Sequence, residues 1–179
     1  MSLDRLLGGI TAGVLLVAGL TGCGSGGERR TTSPRPSTTA AFSVADSQAL
    51  DAYRRMWTAY AAAAAVPDPD NQDVKRYATD DALRIMTDGL RLLRQQGLKG
   101  TGTVVPAPEV VSSPPAGSPD QVSIRDCLDT SGSHIISASP GGVYQDTPGG
   151  RRQCFALVHR QGDGSWKVAT FDLRDVGTC

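Results

Sequence analysis

The side chains in this sequence that could do chemistry are few and widely spaced. Asp126 is the first. In the segment from Gln121 to Thr130 it alternates with Val122, Ile124 and Leu128, and a strand period of two points it toward the same face as those apolar side chains. A carboxylate placed there is partly desolvated, which raises its pKa and suits it to general-base work. The competing reading puts it at the rim of the sheet, ion-paired with Arg125, Arg151 or Arg152. His159 shares a strand face with Phe155 and Leu157 and raises the same question, against the alternative of a single satisfied histidine at a sheet edge. A third candidate is aromatic: Tyr53, Trp57 and Tyr60 recur at helical spacing. They either wall a pocket for a small apolar ligand or fill the core.

Other patterns lead nowhere chemically. Gly22 to Gly27 matches G-x-G-x-x-G, but neither a strand precedes it nor a helix follows to aim backbone amides at a pyrophosphate. His134 and His159 are the only histidines, and neither has a second ligand at metal spacing, so no metal site is expected. Asp68, Asp70 and Asp73 approach a calcium loop, yet Gln72 interrupts the ligand pattern and the glycine of the sharp turn is missing; helix capping accounts for them better. There is no G-x-S-x-G elbow, and no cofactor is expected.

The elements that position these residues begin after an export signal. An apolar run of about 15 residues, Leu6 to Leu20, ends at Leu20-Thr21-Gly22-Cys23. That is short of the roughly 20 residues a membrane-spanning helix needs, and it fits the core of a signal peptide. The tetrad resembles the bacterial lipobox, in which a thiol is acylated and the chain cut before it, so residues 1–22 read as a lipoprotein signal peptide and Cys23 as the lipid attachment site. The n-region is weak, with Arg5 beside Asp4. Cutting there leaves about 157 residues, enough for one ordinary domain. Residues 23–45 are rich in Gly, Ser, Thr, Pro and Arg and cannot bury enough to order themselves, so they read as a tether. Arg29, Arg30 and Arg35 either approach anionic lipid or simply keep this linker solvated. Eighteen basic residues balance 18 acidic ones, and nothing suggests a surface for nucleic acid.

The domain proper is read as residues 46–179. Leu50, Tyr53, Trp57 and Tyr60 predict a helix from Asp46 to about Val66, with Arg54 and Arg55 off its buried stripe, closed by Pro67 and Pro69. Asp68 is placed to cap a short second helix carrying Val74 and Tyr77. Thr79 or Asp80 begins a third, with Leu83, Met86, Leu90 and Leu93 buried and Gly97 at its end. Four strands follow: Thr101 to Val111, Gln121 to Thr130, Gln153 to Arg160 and Ser165 to Asp175. Ser112 to Asp120 is a Pro-rich connection, and Gly162-Asp163-Gly164 makes a hairpin. The loop from Ser131 to Gly150 is long enough to be a lid, or an extended hairpin through Ile135, Ile136, Val143 and Tyr144. Three helices before an antiparallel sheet of about four strands make an α+β fold.

This order of elements resembles the cone-shaped fold of nuclear transport factor 2 and the SnoaL-like proteins. More narrowly, Ala78-Thr79-Asp80-Asp81-Ala82-Leu83, Asp126-Cys127-Leu128-Asp129, Thr147-Pro148-Gly149-Gly150-Arg151-Arg152, Gly164-Ser165-Trp166-Lys167-Val168 and Val176-Gly177-Thr178-Cys179 resemble a group of actinobacterial lipoproteins of this fold. The resemblance runs from about Asp46 to Cys179 and brings no assigned activity. It implies a cavity between helices and sheet, and Asp126 resembles the general base of the isomerases of the cone fold, which the enzyme alternative would use. Export into an oxidising environment favours one disulfide among Cys127, Cys154 and Cys179, which a meander gathers at one end of the sheet. Chain entropy separates the two pairings that use Cys127 by only about half a kcal/mol and does not choose between them. The resembling lipoproteins carry the pair Cys127–Cys179, leaving Cys154 a buried thiol.

Three functions are therefore weighed. The leading one is a non-catalytic module, held by its lipid anchor on the extracytoplasmic face of the membrane, that binds a small apolar ligand or an envelope protein. The alternatives are an enzyme with Asp126 as base, and a structural envelope subunit without a ligand. The anchor is directly testable. Replacing Cys23 with Ser is expected to leave an uncleaved or released chain, whereas protein that stayed cleaved and membrane-bound after that change would rule out the lipoprotein reading.

Overall fold

The computed structural model describes residues 43–179. Cys23, the signal-peptide core and the tether up to residue 42, with Arg29, Arg30 and Arg35, lie outside the described residues. Among those described, three helices precede six strands, and no helix is long and apolar enough to cross a membrane.

The first helix, α1 (Val44–Ala65), starts two residues before the expected Asp46 because Ser43 closes a capping box. The Asp46 backbone N–H donates to the Ser43 hydroxyl at 3.0 Å, and the Ser43 N–H donates to the Asp46 carboxylate at 2.9 Å. Two of the amides that a helix start leaves unpaired are thereby satisfied. Its buried stripe contains Leu50, Tyr53, Met56 and Trp57. The chain then turns through Pro67. Asp68 does not cap the short α2 (Gln72–Tyr77): its carboxylate accepts from the Asp70 N–H within the turn, and Asn71 accepts from the Asp73 and Val74 amides. Thr79 holds the cap position of α3 (Asp80–Gln95) without a side-chain cap bond. Its N–H is instead donated to the Val168 carbonyl at 2.9 Å, tying the helix start to the sheet. Ala82, Met86, Leu90 and Leu93 are buried, while Leu83 is only partly so. Gly97, at φ +64°, ends the helix in the left-handed conformation that favours glycine.

The expected strand from Thr101 to Val111 is in fact two strands belonging to different sheets. β1 (Leu98–Gly102) ends at Gly102, where φ is +79° and a Cβ would collide with the Gly132 carbonyl oxygen. Pro106 and Pro108 lack amide donors, so no continuous ladder crosses them, and β2 (Glu109–Ser112) starts afresh. The long loop after β3 (Gln121–Asp129) contains a strand of its own, β4 (Ser133–Ser137). Ile135 and Ile136 pair there with Gly100 and Lys99 of β1, not with Val143 and Tyr144, and both of those side chains are exposed. With β5 (Arg151–Arg160) and β6 (Trp166–Leu173), the main sheet has the order β2-β3-β5-β6 and is wholly antiparallel; β1 and β4 form a second, two-stranded sheet.

The helices cover one face of the main sheet, an α+β arrangement consistent with the cone-shaped fold. Val122, Ile124 and Leu128 of β3, Cys154, Ala156 and Val158 of β5, and Val168 of β6 form the floor of the core. Strand parity also sorts the cysteines. Cys154 pairs across the ladder with Asp126 and is buried on the inner side, whereas Cys127 pairs with Gln153. Cys127 is bonded to Cys179, Cα to Cα 5.9 Å, across a separation of 52 residues. Constraining the unfolded chain over that loop is worth about 4 kcal/mol on the entropy model. Urea unfolding with and without reductant is expected to show a loss of that order, while Cys154→Ala leaves the non-reducing peptide map unchanged. A loss below about 1 kcal/mol would contradict the role of the bridge as a staple for the C-terminus.

Candidate functional site

Among the described residues, Asp126 is the one acidic or basic residue of the core, 2 % exposed in a floor of apolar side chains. The expected parity places it on that face, and the expected rim pairing with an arginine does not occur. Arg125 binds Glu109 at 3.0 Å, Arg151 donates to the Cys127 sulfur, and the Arg152 Nε is buried without a partner among the described residues. Both carboxylate oxygens of Asp126 are instead held from inside the domain. The Tyr53 hydroxyl donates to Oδ2 at 2.9 Å and the Ala107 N–H to Oδ1 at 2.7 Å. One donor comes from α1 and the other from the segment between β1 and β2, so three parts of the chain meet at this carboxylate.

The electrostatics follow from burial. Asp126 is raised above the ordinary value of 3.8, because desolvation outweighs the stabilisation of the anion by the Ala107 and Tyr53 donors. Burial raises Tyr53 strongly, reinforced by Cys154 and Asp126, and lifts the Cys154 thiol to about 11. Neither is a nucleophile near neutral pH.

The aromatic stripe fills the interior. Tyr53 is fully buried, and Trp57, 6 % exposed, packs edge-on against Tyr53 and Tyr60 and lies 5.4 Å, centroid to centroid, from Phe171 of β6. The Tyr60 hydroxyl occupies the space that a side chain at position 89 would need: a Cβ on Gly89 would lie 2.6 Å from it. A glycine inside α3 is thus explained by close packing, and the stripe is core where a pocket wall was the other reading.

Two clefts are relevant. A narrow one of about 170 Å³ reaches Asp126 between Ala107, Gln153 and the Cys127–Cys179 bridge. A wider one of about 450 Å³ lies on the outer face of the main sheet, where Val111, Arg125, Phe155, Leu157 and Asp172 line it. Phe155 and Val111 are 39 % and 62 % exposed there. The pattern Phe155, Leu157, His159 signals an apolar outer stripe on β5, but Arg125 and Asp172 join it only through the strand register, which spacing does not reveal. His159 belongs to this outer side, with Nε2 buried and unpartnered among the described residues. His134 sits 3.4 Å from Asp146. Asp70 and Asp73 are bound to Lys75 and Arg76, and among the described residues no group of acidic, histidine or cysteine side chains is arranged to hold a metal.

No protein-family profile and no curated protein matches this sequence. Solved structures do resemble it. The intermembrane space region of the chloroplast protein ARC6 aligns with a TM-score of 0.53 at 14% identity, covering 69% of this chain and 91% of that one. A ketosteroid isomerase-like protein from Erwinia carotovora atroseptica gives 0.46 at 16% identity, covering 70% and 91%. A putative ketosteroid isomerase from Shewanella frigidimarina gives 0.41 at 16%, covering 75% and 100%. At these identities the likeness is one of fold, and it brings no activity with it.

The buried carboxylate makes stability depend on pH in a defined direction. The unfolded chain ionises Asp126 near 3.8 and the folded chain only at higher pH. Its favourable contribution is therefore complete below the ordinary value and lost as pH rises through the folded one. In urea unfolding, the wild type is expected to lose stability relative to Asp126→Asn over that window. A wild type that gained on the variant as pH rose would show that the donors, not burial, dominate.

Proposed function

We propose that this chain is a lipid-anchored extracytoplasmic module that performs no chemistry of its own and meets a protein partner through the outer face of its main sheet. The lipobox-like tetrad ending at Cys23 supports the anchor, and the low-complexity stretch after it supports a tether that holds the domain off the membrane. The observation that carries the binding reading is the contrast between the two sheet faces. Inside, Tyr53, Trp57 and Tyr60 occupy the space a small apolar ligand would take, and Asp126 has both oxygens engaged. Outside, an antiparallel sheet leaves Phe155, Leu157 and Val111 beside charged groups in an open cleft. Of the two ligand classes expected for a binding module, a protein surface fits that face better.

A catalytic reading has one observation in its favour, the narrow cleft that reaches Asp126 beside the disulfide. Its raised pKa is a property general bases share. Tyr53 and Ala107 each take one acceptor site on the carboxylate, so a substrate proton would have to reach a remaining lone pair through that narrow cleft.

The test uses the lipid-anchored full chain in its own membrane, with a photo-crosslinking phenylalanine analogue at position 155 and, as a control, at position 84 on the opposite side of the domain. A protein adduct at 155, absent at 84 and unchanged by Asp126→Asn, is expected. Absence of any adduct at 155, or equal yield at both positions, would sink the reading.

A further inference from the structure

The bridge between Cys127 and Cys179 is unequal at its two ends. Cys127 is half-buried on the outer parity of β3, while Cys179 is exposed. After β6 the chain continues as a strap, residues 174–179, laid across the first residues of β5. The Arg174 N–H donates to the Gln153 carbonyl at 2.9 Å and the Gly177 N–H to the Arg151 carbonyl at 2.7 Å. The Gln153 N–H donates back to the Thr178 hydroxyl at 2.9 Å. These bonds bring Cys179 to Cys127, and every residue of the strap is exposed.

A cation stands at one of the two sulfurs. Arg151 is the diagonal neighbour of Cys127 on the outer side of the β3–β5 ladder, and its Nε and Nη2 donate to the Cys127 Sγ at 3.3 and 3.2 Å. The carboxylate of Asp129, directly opposite Arg151, accepts from the Ser131 N–H at 2.9 Å. A neutral disulfide sulfur is a weak acceptor, so the guanidinium gains little from the intact bridge. A thiolate in the same place would gain much more, because a neighbouring arginine lowers the pKa of a thiol and a sulfur of low pKa leaves faster.

We infer that the bridge is a thiol-exchange site for an external dithiol, with attack at Cys179 and departure of Cys127. The chain is the substrate of this exchange, which is independent of any contact on the outer face at Phe155. A thiolate of the dithiol attacks the Cys179 Sγ. A new S–S bond forms there, the Cys127–Cys179 bond breaks, and its electron pair goes to Cys127 as a thiolate beside Arg151. The second thiolate of the dithiol then attacks its own partner sulfur in the mixed disulfide, and Cys179 leaves. The dithiol ends as a disulfide, oxidised by two electrons, and its two protons pass through water to the two reduced cysteines. Access agrees with charge, since exchange depends on which sulfur the attacking thiolate reaches and Cys179 is the open one. Cys154 does not divert the reaction, because it lies in the core on the opposite face of the sheet. Cys179 is also one wall of the narrow cleft that reaches Asp126, so reduction frees that wall together with the strap.

The test uses the full chain in detergent and glutathione as the probe, because a monothiol stops at the mixed disulfide. With iodoacetamide present during the exchange, peptide mapping is expected to find glutathione on Cys179 and the alkyl group on Cys127, in about tenfold excess over the reverse. Arg151→Gln is expected to slow the first exchange by about tenfold and to erase that preference, while Arg151→Lys, which keeps the charge, retains both. Dithiothreitol is expected to carry the wild type through to free thiols at Cys127 and Cys179. Thermal melting checks that each variant is folded, and the wild-type map decides alone where one is not. Glutathione mainly on Cys127, or equally on both cysteines, would overturn the inference. So would a folded Arg151→Gln that exchanges as fast and with the same preference as the wild type, or a wild type that neither thiol reduces.

Discussion

A carboxylate buried in an apolar floor has to be given hydrogen-bond donors by the rest of the domain, and the arrangement of this protein follows from how Asp126 obtains its two. The cost of leaving such a group unpaired is larger than the net gain of an ordinary hydrogen bond. The donors therefore restrict where their carriers can sit. Tyr53 fixes the rotation and position of α1 over β3, and Ala107 fixes the path of the chain between β1 and β2. One helical turn beyond Tyr53, Trp57 is carried onto Phe171 of β6, and one turn beyond that Tyr60 is carried to the small gap left by Gly89 on α3. A single polar contact thus sets the register in which aromatic side chains close the interior.

Closing the interior leaves the outer face of the main sheet as the open surface of the domain. The same strands that send Val122, Ile124 and Asp126 inward send Ser123 and Arg125 outward, and β5 adds Phe155 and Leu157 to that outer face. Among the described residues, neither the helices nor the two-stranded sheet cover it. The disulfide works toward the same division: Cys127 is on the outward parity of β3 and holds the C-terminus to that inner strand, while Cys154, on the inward parity of β5, stays a thiol within the core.

Much of this was legible in the residues. The step of three and four through Leu50, Tyr53 and Trp57 identified the buried stripe of α1, and the alternation through Val122, Ile124, Asp126 and Leu128 identified the inner face of β3, because both rest on local geometry. What escaped depends on distant partners. Asp126 is bound by a tyrosine 73 positions away, and no spacing rule connects the two. The segment from Thr101 to Val111 has Thr and Val before Pro106 and Val after Pro108, and the two prolines already argue locally against one strand, but the crowding of Gly102 against Gly132 that ends β1 shows only in the fold. Asn71 displaced Asp68 as a cap because the turn after Pro67 consumed the aspartate first. The charged row on the outer face needed the register of four strands before its members could be seen together.

The claim on which all else rests is that Tyr53 and Asp126 act as a coupled pair inside a closed core. A double-mutant cycle with Tyr53→Phe, Asp126→Ala and the combined variant, read by urea unfolding at neutral pH, measures that coupling because each single change removes one partner of the hydrogen bond. An interaction energy of about 1 to 3 kcal/mol is expected for a buried hydrogen bond to a carboxyl group. Strict additivity of the two substitutions would contradict it.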